Sequence, residues 1–385
     1  MTDEPADRPL RVIDFTLVMA GPFCTRMFAD MGAEVIKVEP PSGDTMRGRP
    51  PMEDGQSRYF GHLNCGKHSL AADLKNPDDL ALVRDLIATA DVVVENFRPG
   101  VMGRLGLGYE ALRATNPRLI FCSISGFGQE GRAAKQPAYA PMIHAASGYD
   151  LALMGFSPEA DRPAPTGMFV ADVMAGIYAF GAVQAALYQR EKTGVGQQID
   201  VALMDSILSM MVYECQEAQA PQPRARHVYG PLKASDGFVI AAPLSQKNFD
   251  SLGALLGGPD WIADERFASA AGREANWAEI MRHIEGWTAT RSAADCERLM
   301  LEAGVPCARY RTVAEAMADP ALADRGLLQT IGDAGASYQV FNPPFQMSGC
   351  DVRARDRVPE LDGARARLQR EIHAASADAT LVKST

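Results

Sequence analysis

Asp172 is the one formal charge between Thr166 and Tyr188, a stretch otherwise built from small and apolar residues (Thr-Gly-Met-Phe-Val-Ala-Asp-Val-Met-Ala-Gly at its start). A carboxylate in such surroundings is costly to bury unless it is hydrogen-bonded or used in chemistry. Poor solvation perturbs its pKa, which suits a nucleophile or a general base. The alternative is a buried aspartate that caps a helix. Metal and disulfide chemistry have less behind them. The seven cysteines (24, 65, 122, 215, 296, 307 and 350) never form Cys-x-x-Cys, and no His-x-x-x-His pair occurs. No metal site is expected, and the thiols read as reduced, in a cytoplasmic setting.

The elements that must position Asp172 follow a strand–helix rhythm. Leu10–Phe15, Glu34–Val38, Asp91–Glu95, Leu119–Ile124 and Gln197–Leu203 read as strands. Helices are expected from Pro22 to Met31, Pro77 to Thr89, Gly100 to Thr115 and Met204 to Glu214. This alternation predicts an α/β fold with a Rossmann-like parallel sheet. The first strand–turn–helix, Thr16-Leu-Val-Met-Ala-Gly-Pro22, lacks Gly-x-Gly-x-x-Gly. A nicotinamide or flavin site is therefore not expected, and Glu39 is not assigned as a ribose ligand. After a Pro-containing connector at Ala218–Arg226, the pattern predicts a smaller α+β domain with a strand at Gly237–Ala242. A charged helix at about Pro359–Ala375 closes the chain. The expected division is 1–215 with 325–385 as the large domain and 216–324 as the small one.

A net charge of −10 argues against nucleic acid or an anionic membrane as the main partner. The N-terminus carries no signal-peptide pattern. The apolar run Val173–Tyr188 is short for a span and contains Gln184, so a buried helix is expected.

An ordered set of blocks resembles the class III coenzyme A transferases, whose members include formyl-CoA transferase and L-carnitine CoA-transferase. The α-methylacyl-CoA racemases share that fold. The blocks are Val12–Thr16 with Ala20-Gly-Pro22, Gly32–Glu39, Gly43-Asp44, Asn64–Ser69, Ala90–Gly100, Asn116-Pro-Arg118, Ser125–Gly128, Ala171-Asp172, Lys192–Gln197, Gly304-Val-Pro306, Asp319-Pro320 and Pro344–Gly349. The resemblance implies that Asp172 is a nucleophile that passes through an aspartyl–acyl anhydride and an aspartyl-CoA thioester. It implies CoA as co-substrate, with no further cofactor. It places Lys75, Asn96, Phe97, Arg98 and Arg104 at CoA-contacting positions. Ala20 and the Gln136–Tyr139 segment would line the pantetheine and thioester end. It also implies a homodimer of two interlocked chains. Glu95–Gly100 lies at the carboxyl end of a predicted parallel strand, where open α/β sheets bind ligands.

Three functions stay open from the residues. A racemase would pair the aspartate with a histidine, at a position where this chain has Tyr139; a tyrosine there resembles the transferases. His144, five residues on, is a candidate base or a structural or substrate-contact residue. An inactive CoA-binding protein is the third reading. Ala140 stands where formyl-CoA transferase has a glutamate, and Met19 where it has a glutamine. The glycine-rich loop of that enzyme has no counterpart between residues 215 and 245, where His227–Lys233 occupies the matching region. A pocket lined by Met19, Ala20, Tyr139, Ala140, Met142 and His144 suits a carboxylic acid larger than formate or oxalate, including dicarboxylic acids.

Overall fold

Six short strands pair into one parallel sheet. They are β1 (Arg11–Asp14), β2 (Glu34–Glu39), β3 (His68–Ala71), β4 (Val92–Glu95), β5 (Ile120–Ser125) and β6 (Gln198–Ala202). Their spatial order is β3-β2-β1-β4-β5-β6, and every pairing is parallel. This is the doubly wound arrangement, in which chain order reverses between β1 and β4. The computed structural model describes residues 8–157, 159–221, 228–243, 245–257, 263–333 and 336–383. Part of the expected connector, 222–227, including His227, lies outside them.

Parallel strands are buried on both faces, so adjacent side chains feed different cores. Along β4, Val92 and Val94 join one core and Val93 the other. The first core is covered by α1 (Ala20–Asp30), α3 (Ala140–Ala146), α4 (Val170–Thr193) and α5 (Leu203–Met210). The second is covered by α2 (Pro77–Ala88), through Val83, Leu86 and Ile87, and by the C-terminal helix, through Leu368 and Ile372. Another helix, α6 (Val212–Gln219), follows α5 after a break at Met211.

The chain divides into two compact units, 1–219 with 323–385, and 220–322. The second unit holds a three-stranded antiparallel sheet of β7 (Leu232–Ala234), β8 (Gly237–Ala241) and β9 (Cys307–Arg309). Its core includes Phe249 and Leu252 of α7 (Gln246–Leu256), Ile280 and Ile284 of α8 (Trp277–Thr288), and Cys296 and Met300 of α9 (Ala293–Glu302). Back in the first unit, the hairpin β10 (Leu328–Asp333) and β11 (Ala336–Phe341) precedes α10 (Arg365–Lys383).

Several elements differ from the sequence-based expectation. β3 carries no long apolar run and was not expected. The stretch expected to be helical at 100–115 holds two single turns, Val101–Arg104 and Tyr109–Leu112, separated by Gly106 at φ +67°. α10 begins at Arg365 rather than Pro359, because Pro359–Gly363 forms a loop in which Asp362 accepts the Ala71 N–H. The apolar run at 173–188 belongs to a longer helix, α4, which by length and composition could cross a membrane. It is not buried all round. A stripe of Ala171, Ala175, Ala179, Val183 and Ala186 packs into the core, while Ile177, Tyr178 and Tyr188 are exposed.

Candidate active site

The carboxyl ends of β1 and β4 flank the point where strand order reverses, and their loops are tied together. Asn96, just past β4, accepts the Leu17 N–H through Oδ1 (2.9 Å) and donates to the Leu17 carbonyl through Nδ2 (2.8 Å). The clamped loop contains Val18 at φ +68°, an unfavourable conformation for a β-branched residue. It leads into Met19, the N-cap of α1, and Ala20, the first residue of that helix.

α4 and α1 both lead back to an amino-terminal strand end, so both begin at the carboxyl edge of the sheet. They approach closely there. A Cβ added to Gly176 would lie 2.7 Å from the Ala20 carbonyl oxygen, so glycine is required for this contact. Asp172 is one helical turn before Gly176 and sits in the first turn of α4. Its carboxylate is half-buried and takes no hydrogen bond or ion pair among the described residues. Burial alone raises its pKa from 3.8 to about 6. The helix N-terminus favours the anion but does not overcome desolvation. At neutral pH the group remains mostly ionised, with no partner to quench it.

α3 brings in the third set of residues. The loop after β5 folds back tightly: a Cβ on Gly126 would lie 2.5 Å from that of Ala138. Tyr139 is the N-cap of α3 and is 66% exposed. Ala140 is fully buried in the core beside Ala171, so its methyl group offers no exposed surface to a substrate. His144 is also fully buried, and its Nε2 accepts the backbone N–H of Ala171 at 3.1 Å. Burial lowers its pKa. With Nε2 engaged in this way, the ring caps α4 and does not present a free base. Met19 is half-buried and Ala20 buried.

The expected CoA-contacting residues divide by what their side chains already do. Lys75, Arg98 and Arg104 are exposed, and no hydrogen bond or ion pair among the described residues engages their charged groups. Lys75 follows the edge strand β3, two strands away from β1, whereas Arg98 lies in the loop after β4. Phe97 packs beside Phe15, with ring centroids 6.5 Å apart. Asn96 differs: both ends of its amide are committed to Leu17, which makes it a brace of the loop.

The sequence reading missed a buried charge network under these loops. Asp14 pairs with Lys67 at 2.9 Å and receives the Thr25 hydroxyl and the Thr16 N–H. Lys37 pairs with Asp44 and donates to the Thr16 carbonyl. Glu39 takes Arg47, the Ser69 hydroxyl and the Asp44 N–H, so its carboxylate is structural. Burial opposes the charge on Asp14, yet Lys67 and Lys37 bring its pKa down to about 2. Glu95, at the end of β4, is raised to about 7 by burial. The available signal was Lys37 between the apolar residues Ile36 and Val38 of a strand. Among the described residues, no group of His, Cys, Asp and Glu side chains could hold a metal ion.

A doubly wound sheet with an unpaired carboxylate and free cations along its carboxyl edge defines an α/β enzyme that handles an anionic ligand there. Residues 8–365 match the family model described as CoA-transferase family III. The chain is 36% identical to succinate–glutarate CoA-transferase of Agrobacterium fabrum, over 99% of this chain and 100% of that one. It is also 36% identical to acetyl-CoA:oxalate CoA-transferase of Acetobacter aceti, over 96% of each. The crystal structure of a CAIB/BAIF family protein from Brucella suis matches with a TM-score of 0.82 at 34% identity, covering 95% of this chain and 98% of that one. The chain belongs to CoA-transferase family III and is a CoA-transferase.

Proposed function

We propose that this enzyme moves CoA from an acyl-CoA donor to a dicarboxylic acid, with Asp172 as covalent nucleophile. The observation that carries this reading is the Asp172 carboxylate itself, unpaired and half-buried in the first turn of α4. A carboxylate is a weak nucleophile in water, and partial desolvation strengthens it.

In the proposed sequence, a carboxylate oxygen of Asp172 attacks the thioester carbonyl carbon. The C–S bond breaks, CoA leaves as thiolate, and an aspartyl–acyl anhydride remains. The thiolate attacks the Asp172 carboxyl carbon, releasing the donor acid as its carboxylate and leaving aspartyl-CoA. The acceptor carboxylate attacks the same carbon and expels the thiolate. That thiolate then takes the acyl group from the new anhydride, which restores Asp172. No net proton is gained or lost, so a separate general base is not required. Arg98, Arg104 and Lys75 supply cations for the phosphates of CoA.

Support for a dicarboxylic acceptor comes from the relatives, whose names specify glutarate and oxalate. These acids share two carboxylates and differ in length. The racemase reading loses support because His144 spends Nε2 on the Ala171 N–H. An interlocked homodimer remains part of the proposal. The exposed apolar residues Ile177, Tyr178, Val212 and Tyr213 give a second copy of the chain a surface to cover.

The test is to incubate the enzyme with acetyl-CoA or succinyl-CoA and a panel of mono- and dicarboxylic acids, following CoA exchange by mass spectrometry. Exchange that favours dicarboxylic acids, with hydroxylamine modifying Asp172 only when acyl-CoA is present, is expected. Deuterium incorporation at the α-carbon without exchange would mean racemisation. A mass corresponding to one chain in solution would remove the dimer from the proposal.

A further inference from the structure

The turn that carries Asp172 has no cap of its own. Phe169 occupies the N-cap position and makes no side-chain hydrogen bond there. The N–H groups of a first helical turn have no partner within the helix and need acceptors from outside. One arrives from α3, 27 residues earlier, where His144 Nε2 takes the N–H of Ala171, the residue directly before Asp172. Because Nε2 accepts, the neutral ring must carry its proton on Nδ1. That Nδ1 is buried and makes no hydrogen bond among the described residues. A buried donor left unpaired is unfavourable, so what Nε2 gains at α4, together with ring packing, holds the imidazole in place.

We propose that His144 is a positioning residue for the nucleophile: by capping the first turn of α4 it fixes the direction in which the Asp172 carboxylate points. The inference rests on Asp172 being the nucleophile, and gives a buried side chain a role in transfer without contact with substrate. Its ring packs against Tyr149 of the short helix Tyr149–Met154, with centroids 5.2 Å apart, and Asp150 of that helix is the charged group acting on it. Asp172 follows the donor residue on α4. Protonation of Nε2 would set two donors face to face and open the cap, so the cap requires the neutral ring that burial favours. Aim matters here, since a displacement of about 1 Å at a reacting group costs on the order of 100-fold in rate.

The experiment uses the full chain as wild type, His144→Gln, His144→Leu and Asp172→Asn. Glutamine keeps an acceptor for the Ala171 N–H, and leucine keeps the bulk without one. His144→Leu is expected to lower kcat about 10- to 100-fold while leaving KM for acyl-CoA within about 3-fold, with formation of aspartyl-CoA slowed in parallel. His144→Gln is expected to restore most of kcat. Wild-type kcat in His144→Leu, or equal impairment of the two variants, overturns the proposal. If His144→Leu does not fold, nitrogen-15 NMR of histidine-labelled wild type decides, with the His144 signal identified by its loss in His144→Gln. A ring protonated at Nδ1 and bare at Nε2 from pH 6 to 8 is expected, and an Nε2–H ring overturns the cap. Transfer that survives in Asp172→Asn refutes the nucleophile separately, while the NMR result still decides whether His144 caps α4.

Discussion

Asn96 takes both polar backbone groups of Leu17, its Oδ1 receiving the N–H and its Nδ2 reaching the carbonyl. This pair joins the two loops at the reversal point of the sheet and holds Val18 at φ +68°. A loop that strained keeps its shape only while its surroundings impose it.

Asn96→Ala should therefore cost about 1–3 kcal/mol of stability and reduce turnover, since two hydrogen bonds go and the loop relaxes. Val18→Gly should stabilise the wild type by about 1 kcal/mol, because glycine adopts positive φ without steric cost, and should gain less in Asn96→Ala, where the loop has relaxed. Denaturant melts of the single and double variants give the coupling. Simple additivity would show that the brace and the strain are unrelated.

Asp172→Asn should abolish transfer yet stabilise the chain. Burial raises the native pKa of Asp172 to about 6, above 3.8, so its native carboxyl binds a proton more tightly than the unfolded one does. Its contribution to stability is therefore fully present below about pH 4 and lost as pH rises through 6. Two pKa units correspond to about 3 kcal/mol at pH 8. Melting curves should show Asp172→Asn gaining most at pH 8 and almost nothing at pH 4.

The same shift sets the acid limb of activity. With Asp172 as the proposed nucleophile the carboxylate must be ionised, so kcat/KM for the wild type should fall as pH drops through about 6. A limb centred near 4 would mean that the carboxylate is solvated in the working enzyme.

Arg98→Gln and Arg104→Gln should raise KM for acyl-CoA with kcat little changed if, as proposed, these exposed cations meet phosphate and not the reacting atoms. The difference from wild type should shrink in 0.5 M salt, where charges at the surface are screened. Salt-independent losses would point to a structural role for these side chains.

Asp14→Asn is expected to be the most damaging of these changes for folding. It leaves Lys67, fully buried and already lowered to about 8 by desolvation, without its carboxylate. Breaking a buried pair on one side costs about 3–5 kcal/mol. A change below 1 kcal/mol in a urea titration would show that Lys67 finds another partner or loses its proton at little cost.

Five of the six parallel strands were legible because each carries at least two β-branched apolar residues. β3 was not, since His68–Ala71 holds none. The break of 100–115 into two single turns had a signal in Gly103, Gly106 and Gly108, poor helix formers that the helical reading ran through, and the backbone turns left-handed at Gly106. Asp172 stood out by type, as a lone charge among small residues. Ala140 and Asn96 were placed by position in a motif, which does not reveal that one methyl group faces the core and one amide is already spent.

The sequence by itself determined the strand–helix alternation and the lone charge at Asp172, because both follow from residue type and local spacing, whereas the role of that carboxylate and the CoA positions of Lys75 and Arg104 came from the resemblance to the family. Only the tertiary structure decided that His144 meets Ala171 across 27 residues and that Asn96 meets Leu17 across 79. A hydrogen-bond partner that distant is chosen by how helices and loops pack, and no local pattern encodes which acceptor will arrive beside a given N–H.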